Sequence, residues 1–142
     1  VSERAAPLGF TFLRPVSASD LYDTHELVAI DSDYVERFWL PLIGPTSYCA
    51  LRIFARDMNN ARQIFDPIVY DVADFGEMLN VPNQRVRHVL RRLEEYRLLR
   101  EDRDELDGLR LPVYRIDWMV PILGPKQWNR LPQSVRESVR RP

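Results

Sequence analysis

Between residues 71 and 117 the chain is punctuated in a way that few folds accept. Asp71 offers an N-cap carboxylate to a compact helix over Val72–Leu79, in which Val72, Phe75 and Leu79 fall on one face. Asn80-Val81-Pro82 leaves room only for a tight turn, and Pro82 then opens a second helix that should run to about Arg97. Residues 98–100 begin a strand, Asp107-Gly108 is a tight-turn signal, and residues 109–117 return as the second strand. Two helices joined by a short turn and followed by a hairpin predict a winged helix-turn-helix: mainly α, with a small β-hairpin.

The upstream segments supply the remaining helix. Asp31-Ser32-Asp33 offers capping oxygens to a short helix over residues 33–40, expected to stop near Pro41. Gly44-Pro45 breaks the chain again, and Pro45 suits the first position of a helix reaching about Asn59. Tyr48, Leu51, Phe54 and Ala55 are spaced for its buried face, with Arg52 and Arg56 outside. Residues 64–70 read as an extended link, residues 9–16 as a short strand or extended arm, and residues 20–27 as a short helix. An apolar exit over 118–123 should pack on the core, and a basic tail beyond it should hold a short helix at 132–140. The expected division is an N-terminal arm over 1–30, a winged-helix domain over 31–123 and a basic C-terminal tail or linker over 124–142.

A chain of 142 residues, 45% hydrophobic, is enough for one core. Its net charge of -1 gives no global field toward nucleic acid or membrane. The single Cys49 allows no internal disulfide; it lies in an apolar run and reads as a small core hydrophobe, consistent with a reducing cytoplasm. No signal-peptide pattern is visible, and no apolar stretch approaches the roughly 20 residues that span a bilayer. A cytoplasmic protein without membrane contact is expected.

The third helix carries the informative pattern. Val86, Val89, Leu90 and Leu93 share a stripe, while Gln84, His88 and Arg91 lie opposite, flanked by Arg85 and Arg92 on one side and Arg87 on the other. From Pro82 to Leu93 there are four Arg and no acid. Cations early in a helix oppose its dipole, and a phosphate partner accounts for them. In a helix-turn-helix the start of this helix enters the major groove, so Asn83, Gln84 and Arg87 would face base edges, and His88 counts among the DNA-binding residues. Arg85, Arg91 and Arg92 would meet phosphate. The competing reading is a solvated face in an Arg-rich chain, which holds 19 Arg and one Lys. The segment 101–107 (EDRDELD), with five acids and one Arg, opposes DNA at the wing; the tail from Pro125 is net +4.

Enzyme signatures are missing. His25 and His88 stand far apart with no cysteine or second histidine at ligand spacing, so no metal site is expected. Nucleotide and acyl-transfer motifs are absent as well, so no cofactor and no small-molecule substrate are expected.

The stretch FWLPLIGPTSYCALRIFARD, Phe38 to Asp57, resembles the N-terminal winged-helix domain of the DnaB/DnaD family of primosomal, helicase-loading replication-initiation proteins. The matching residues are Trp39, Pro41, Leu42, Ile43, Gly44, Pro45, Tyr48, Ala50 and Leu51; Leu90 to Leu99 and Tyr114-Arg115-Ile116 fit the third helix and the returning strand. The resemblance covers residues 31–121 and implies a replication role, with self-assembly through this domain and replication proteins as partners. Two functions follow. The first is weak DNA binding through the third helix. The second is homo-oligomerisation or protein docking through Phe10, Phe12 and Leu13, through Phe38 and Trp39, or through Trp118, Ile122 and Trp128. A transcriptional regulator is a further alternative.

Overall fold

The computed structural model describes residues 12–17, 21–24, 26–61, 70–106 and 109–140. Its elements in chain order are β1 (Phe12–Ser17), β2 (Leu27–Ala29), α1 (Val35–Trp39), α2 (Leu40–Ile43), α3 (Pro45–Ala61), β3 (Tyr70–Asp71), α4 (Val72–Leu79), α5 (Asn83–Glu95), β4 (Arg100–Leu106), β5 (Leu109–Ile116), β6 (Met119–Pro121), α6 (Pro125–Arg130) and α7 (Gln133–Arg140). Helices α3, α4 and α5 followed by the β4–β5 hairpin give the expected winged-helix-like order. The hairpin register runs from Arg100 opposite Arg115 to Leu106 opposite Leu109; the expected Asp107-Gly108 turn lies outside the described residues.

Two segments depart from the sequence expectation, and two more are placed more firmly than it foresaw. Residues 33–43 are helical past Pro41, because α1 is a π-helical turn in which the Leu40 amide reaches back to the Val35 carbonyl. Widening the helix there lets Pro41, which has no N–H, occupy the first turn of a fresh α segment. Phe38 and Trp39 are thereby turned into the core, and the Trp39 indole N–H donates to the Pro121 carbonyl at 2.9 Å. They are core residues, not an interface.

The expected helix over 20–27 is not seen in its described part; Leu27 instead begins β2, which pairs antiparallel with β6, Val28 opposite Val120. Long-range pairing overrides a weak local helix preference. Strand β1, from the expected arm, lies inside a four-stranded sheet of order β3-β1-β5-β4, antiparallel to β3 and parallel to β5. Residues 124–140, expected as a basic tail or linker with a short helix at 132–140, carry α6 and α7, the second matching that helix. Gly124 caps α6, its amide donating to Gln127 Oε1 at 2.7 Å, and Leu131 between α6 and α7 is only 3% exposed. Leu131, the half-buried Trp128 ring 5.7 Å from Phe38, and Val135 pack this short helix pair on the core.

The core itself runs through all three domain helices. Val86, Val89, Leu90 and Leu93 are buried as their spacing requires, against Ala50, Leu51 and Phe54 of α3 and Phe75 of α4. Phe54 and Phe75 stack at 4.8 Å with planes 4° apart, and Tyr70 leans on both. Cys49 is exposed on the outer side of α3, not a core residue, because the buried positions of that helix are its neighbours Ala50 and Leu51.

Candidate nucleic-acid interface

The turn that aims α5 is built from local chemistry. The Asp71 carboxylate accepts the Ala73 amide at 2.8 Å and caps α4. At the other end Asn80 takes a left-handed conformation (φ 59°), its amide donating to the Glu77 carbonyl while the Val81 amide donates to Gly76 at 2.8 Å. That pair of bonds closes the helix and reverses the chain within three residues. Gly76 makes the closure possible: a Cβ there would stand 2.8 Å from the Val81 carbonyl oxygen.

Helix α5 ends in the same way. Arg97 is left-handed (φ 59°), its amide bonds to Glu94, and the Leu98 amide bonds to Leu93, so two fully buried leucines meet across the stop. The Tyr22 hydroxyl donates to the Arg97 carbonyl at 2.9 Å; burial, with Asp117 nearby, pushes this phenol well above its ordinary range. Helix α5 is thus fixed at both ends, and its outer face has a defined bearing.

Asn83, Gln84, Arg85, Arg87, His88, Arg91 and Arg92 are all exposed. The structure sorts them into two neighbouring depressions. Asn83, Gln84 and Arg87 line an open groove of about 640 Å³ with Asp71, Val72 and Ala73 at the start of α4. Arg85 and Arg92 line a second cleft of about 460 Å³ against the Gly44-Pro45 turn. His88 and Arg91 form the ridge between and line both.

Arg92 corrects the expected phosphate set. Its Nε donates to the Ile43 carbonyl at 2.9 Å and its Nη2 to the Leu42 carbonyl at 2.8 Å. The guanidinium fork closes the carbonyl end of α2, which has no further turn of helix to satisfy those oxygens. Arg92 therefore holds the PLIGP element on α5.

Acids border this face. Glu94 and Glu95 follow it on α5, and Glu101 and Asp102 stand exposed at the base of β4. Burial, with Glu101 close by, pushes the Glu94 carboxyl above its ordinary range against the pull of Arg91. Asp102 accepts from Arg115 Nε at 3.0 Å across the hairpin.

The residues expected to mediate self-association do not form one patch. Phe10 lies outside the described residues. The backbones of Phe12 and Leu13 pair with Asp71 and Tyr70 in the sheet. Trp118 and Trp128 are half-buried against the core, and Ile122, just past β6, is exposed at 38%. Among the described residues no cluster of side chains is suited to a metal ion, and no helix is long and apolar enough to cross a membrane. Sequence reasoning missed the Thr46 and Ser47 contribution to the second cleft; Pro45 at the start of α3 was the available signal, because the amides that follow it have no helical partner.

No family model matches the chain, and no curated protein does. Among solved structures, the primosome protein DnaB (residues 1–300) from Geobacillus stearothermophilus is similar with a TM-score of 0.57, over 92% of this chain and 47% of that one, at 15% identity. The chain shares the fold of that primosome protein fragment. At this identity the likeness is one of architecture, and the chain spans about half the length of the structure it matches.

Proposed function

We propose that this domain belongs to a cytoplasmic replication-initiation protein of helicase-loader type and holds DNA weakly with the outer face of α5. The observation that carries the reading is the row Asn83, Gln84, Arg87, His88 and Arg91, exposed along one groove beside the capped start of α4. In a helix-turn-helix the corresponding edge reaches the major groove, which supports the reading. With Arg92 committed to α2, the phosphate contacts come from Arg85, Arg87 and Arg91. Two or three such contacts give a slope of about -2 to -3 in log K against log salt, and a non-specific Kd of about 10⁻⁴–10⁻⁶ M.

A salt series of fluorescence anisotropy on a labelled duplex tests this. Arg87→Glu with Arg91→Glu should abolish binding while the fold stays intact, since both side chains are exposed. Absence of binding to duplex and single strands alike in low salt would sink the reading.

A second reading, self-association or docking of replication proteins without DNA, is favoured by the acids Glu94, Glu95, Glu101 and Asp102 beside the basic face and by the exposure of Met119 and Ile122 at β6. Sedimentation at high concentration tests it: a monomer throughout removes the homo-oligomer.

A further inference from the structure

Helix α7 carries a donor that the rest of the domain leaves unanswered. The Nε atoms of Arg56, Arg92 and Arg115 each donate within the protein, to Asp57 at 2.8 Å, to the Ile43 carbonyl at 2.9 Å and to Asp102 at 3.0 Å. Arg136 Nε is buried and has no hydrogen-bond partner among the described residues. Glu137, the acid beside it on α7, accepts instead from Gln133 Nε2 at 2.8 Å. A buried donor without an acceptor costs free energy, so it calls for an explanation outside these contacts.

The surroundings of Arg136 narrow what that acceptor is. At 3.6 residues per turn, Val139 lies about 40° and Arg136 about 100° round α7 from Val135. Val135 packs on the core, Arg136 is half-buried, and Val139 is 47% exposed. The apolar stripe of α7 therefore runs out past the core, onto the rim where Arg136 stands. Over residues 125–139, Lys126, Arg130 and Arg136 oppose Glu137 alone, a net charge of +2. An apolar side chain and a cation three residues apart, on positive ground, match a partner with an apolar residue and a carboxylate at helical spacing. A phosphodiester would meet the guanidinium but leave Val139 in water.

We propose that the Arg136–Val139 edge of α7 docks an acidic amphipathic helix of a partner protein, one carboxylate of which takes the Arg136 Nε–H. Approached side-on, a guanidinium offers Nε–H and one Nη–H together, and a carboxylate accepts both. Turning the Arg136 side chain toward that carboxylate gives up no hydrogen bond among the described residues. Only desolvation and the ordering of the side chains offset the new pair. Val139 then covers its exposed surface against the apolar stripe of the incoming helix. The edge shares no residue with the α5 face, so the proposal rests on neither reading above.

The experiment titrates the full chain with a helical peptide of about 14 residues built from leucine, alanine and glutamate. A second peptide, with glutamine in place of glutamate, is the control. The Arg136 Nε–Hε resonance should shift with the first peptide and stay in place with the second. Affinity should fall about tenfold in Arg136→Lys, which keeps the charge and loses the Nε–H, and several-fold in Val139→Ser. Arg136→Met should melt no lower than the wild type, because it removes a buried donor that has no acceptor. A drop in melting there would mean that the donor is satisfied in the folded chain, and overturns the proposal. Wild-type affinity in Arg136→Lys also overturns it, since charge alone would then hold the peptide. A glutamate peptide that leaves the resonance unmoved overturns the docking edge outright. A duplex that shifts the resonance when the peptide does not overturns it in favour of a phosphate contact.

Discussion

Gly44 gives the sharpest test of how the PLIGP element works. It sits at φ 86° and ψ 160°, a region that side-chain-bearing residues avoid, while a Cβ built there would meet nothing within 4 Å. Gly44→Ala therefore isolates backbone strain from crowding. The strain is worth about 1–3 kcal/mol. Alanine recovers about 0.4–1 kcal/mol by restricting the unfolded chain. The net loss should be about 1–2 kcal/mol, or roughly 3–8 °C in Tm for a chain of this size. Gly76→Ala is the natural control, because its loss has the opposite origin: an ordinary helical backbone with the Val81 carbonyl oxygen 2.8 Å away. Urea unfolding followed by tryptophan fluorescence and by circular dichroism would measure both. A Gly44→Ala midpoint equal to wild type, with an unchanged m-value, would show that the turn relaxes into an ordinary conformation. Gly44 would then not be what fixes the direction from α2 to α3.

Three further outcomes are expected. Arg92→Ala should cost about 1–2 kcal/mol by stripping two carbonyls of their donors, and Arg92→Lys should recover only part of it because an ammonium cannot fork; equal stability of all three chains in urea would count against the pinning role. Arg97→Gly should raise stability by about 0.5–1 kcal/mol, since glycine adopts the left-handed conformation without the Cβ penalty, and a lower Tm would contradict it. Leu131→Ala should cost about 2–4 kcal/mol in the same denaturation; a neutral result would mean that α6 and α7 are not part of the core.

Local signals carried far in this chain. The Asp71 cap, the turn at Asn80 and the stripe of Val86, Val89, Leu90 and Leu93 each involve residues within a few positions of one another, so the reading of α4, α5 and the hairpin needed no knowledge of the rest. Several of the departures turn on partners distant in sequence, and others on the helix geometry around Pro41. Whether the Arg92 guanidinium meets a phosphate or two carbonyls depends on what ends against it from 49 residues upstream. Phe38 and Trp39 look like interface aromatics if a helix stops at Pro41, and become core once a π-helical turn carries the helix past it. Strand β2 exists because β6 lies beside it, nearly a hundred residues later. Helix α6 was legible through Gly124, Pro125 and Gln127, which together spell a capped start, but a basic, proline-rich composition pointed toward a linker.

The placement of β1 bears on how the domain assembles. Arg14 pairs with Val113 and Ser17 with Ile116, so the hairpin β4–β5 acquires its second neighbour only when a segment some hundred residues earlier in the chain lies down beside it in parallel. Pairings of such long sequence separation form late and slowly. Until then β5 presents an open edge of backbone donors and acceptors, the feature that invites another chain to add a strand. A fragment trimmed to begin at Asp31 would keep all three domain helices and the hairpin yet carry that open edge permanently, and its tendency to associate would report a missing strand rather than a native contact.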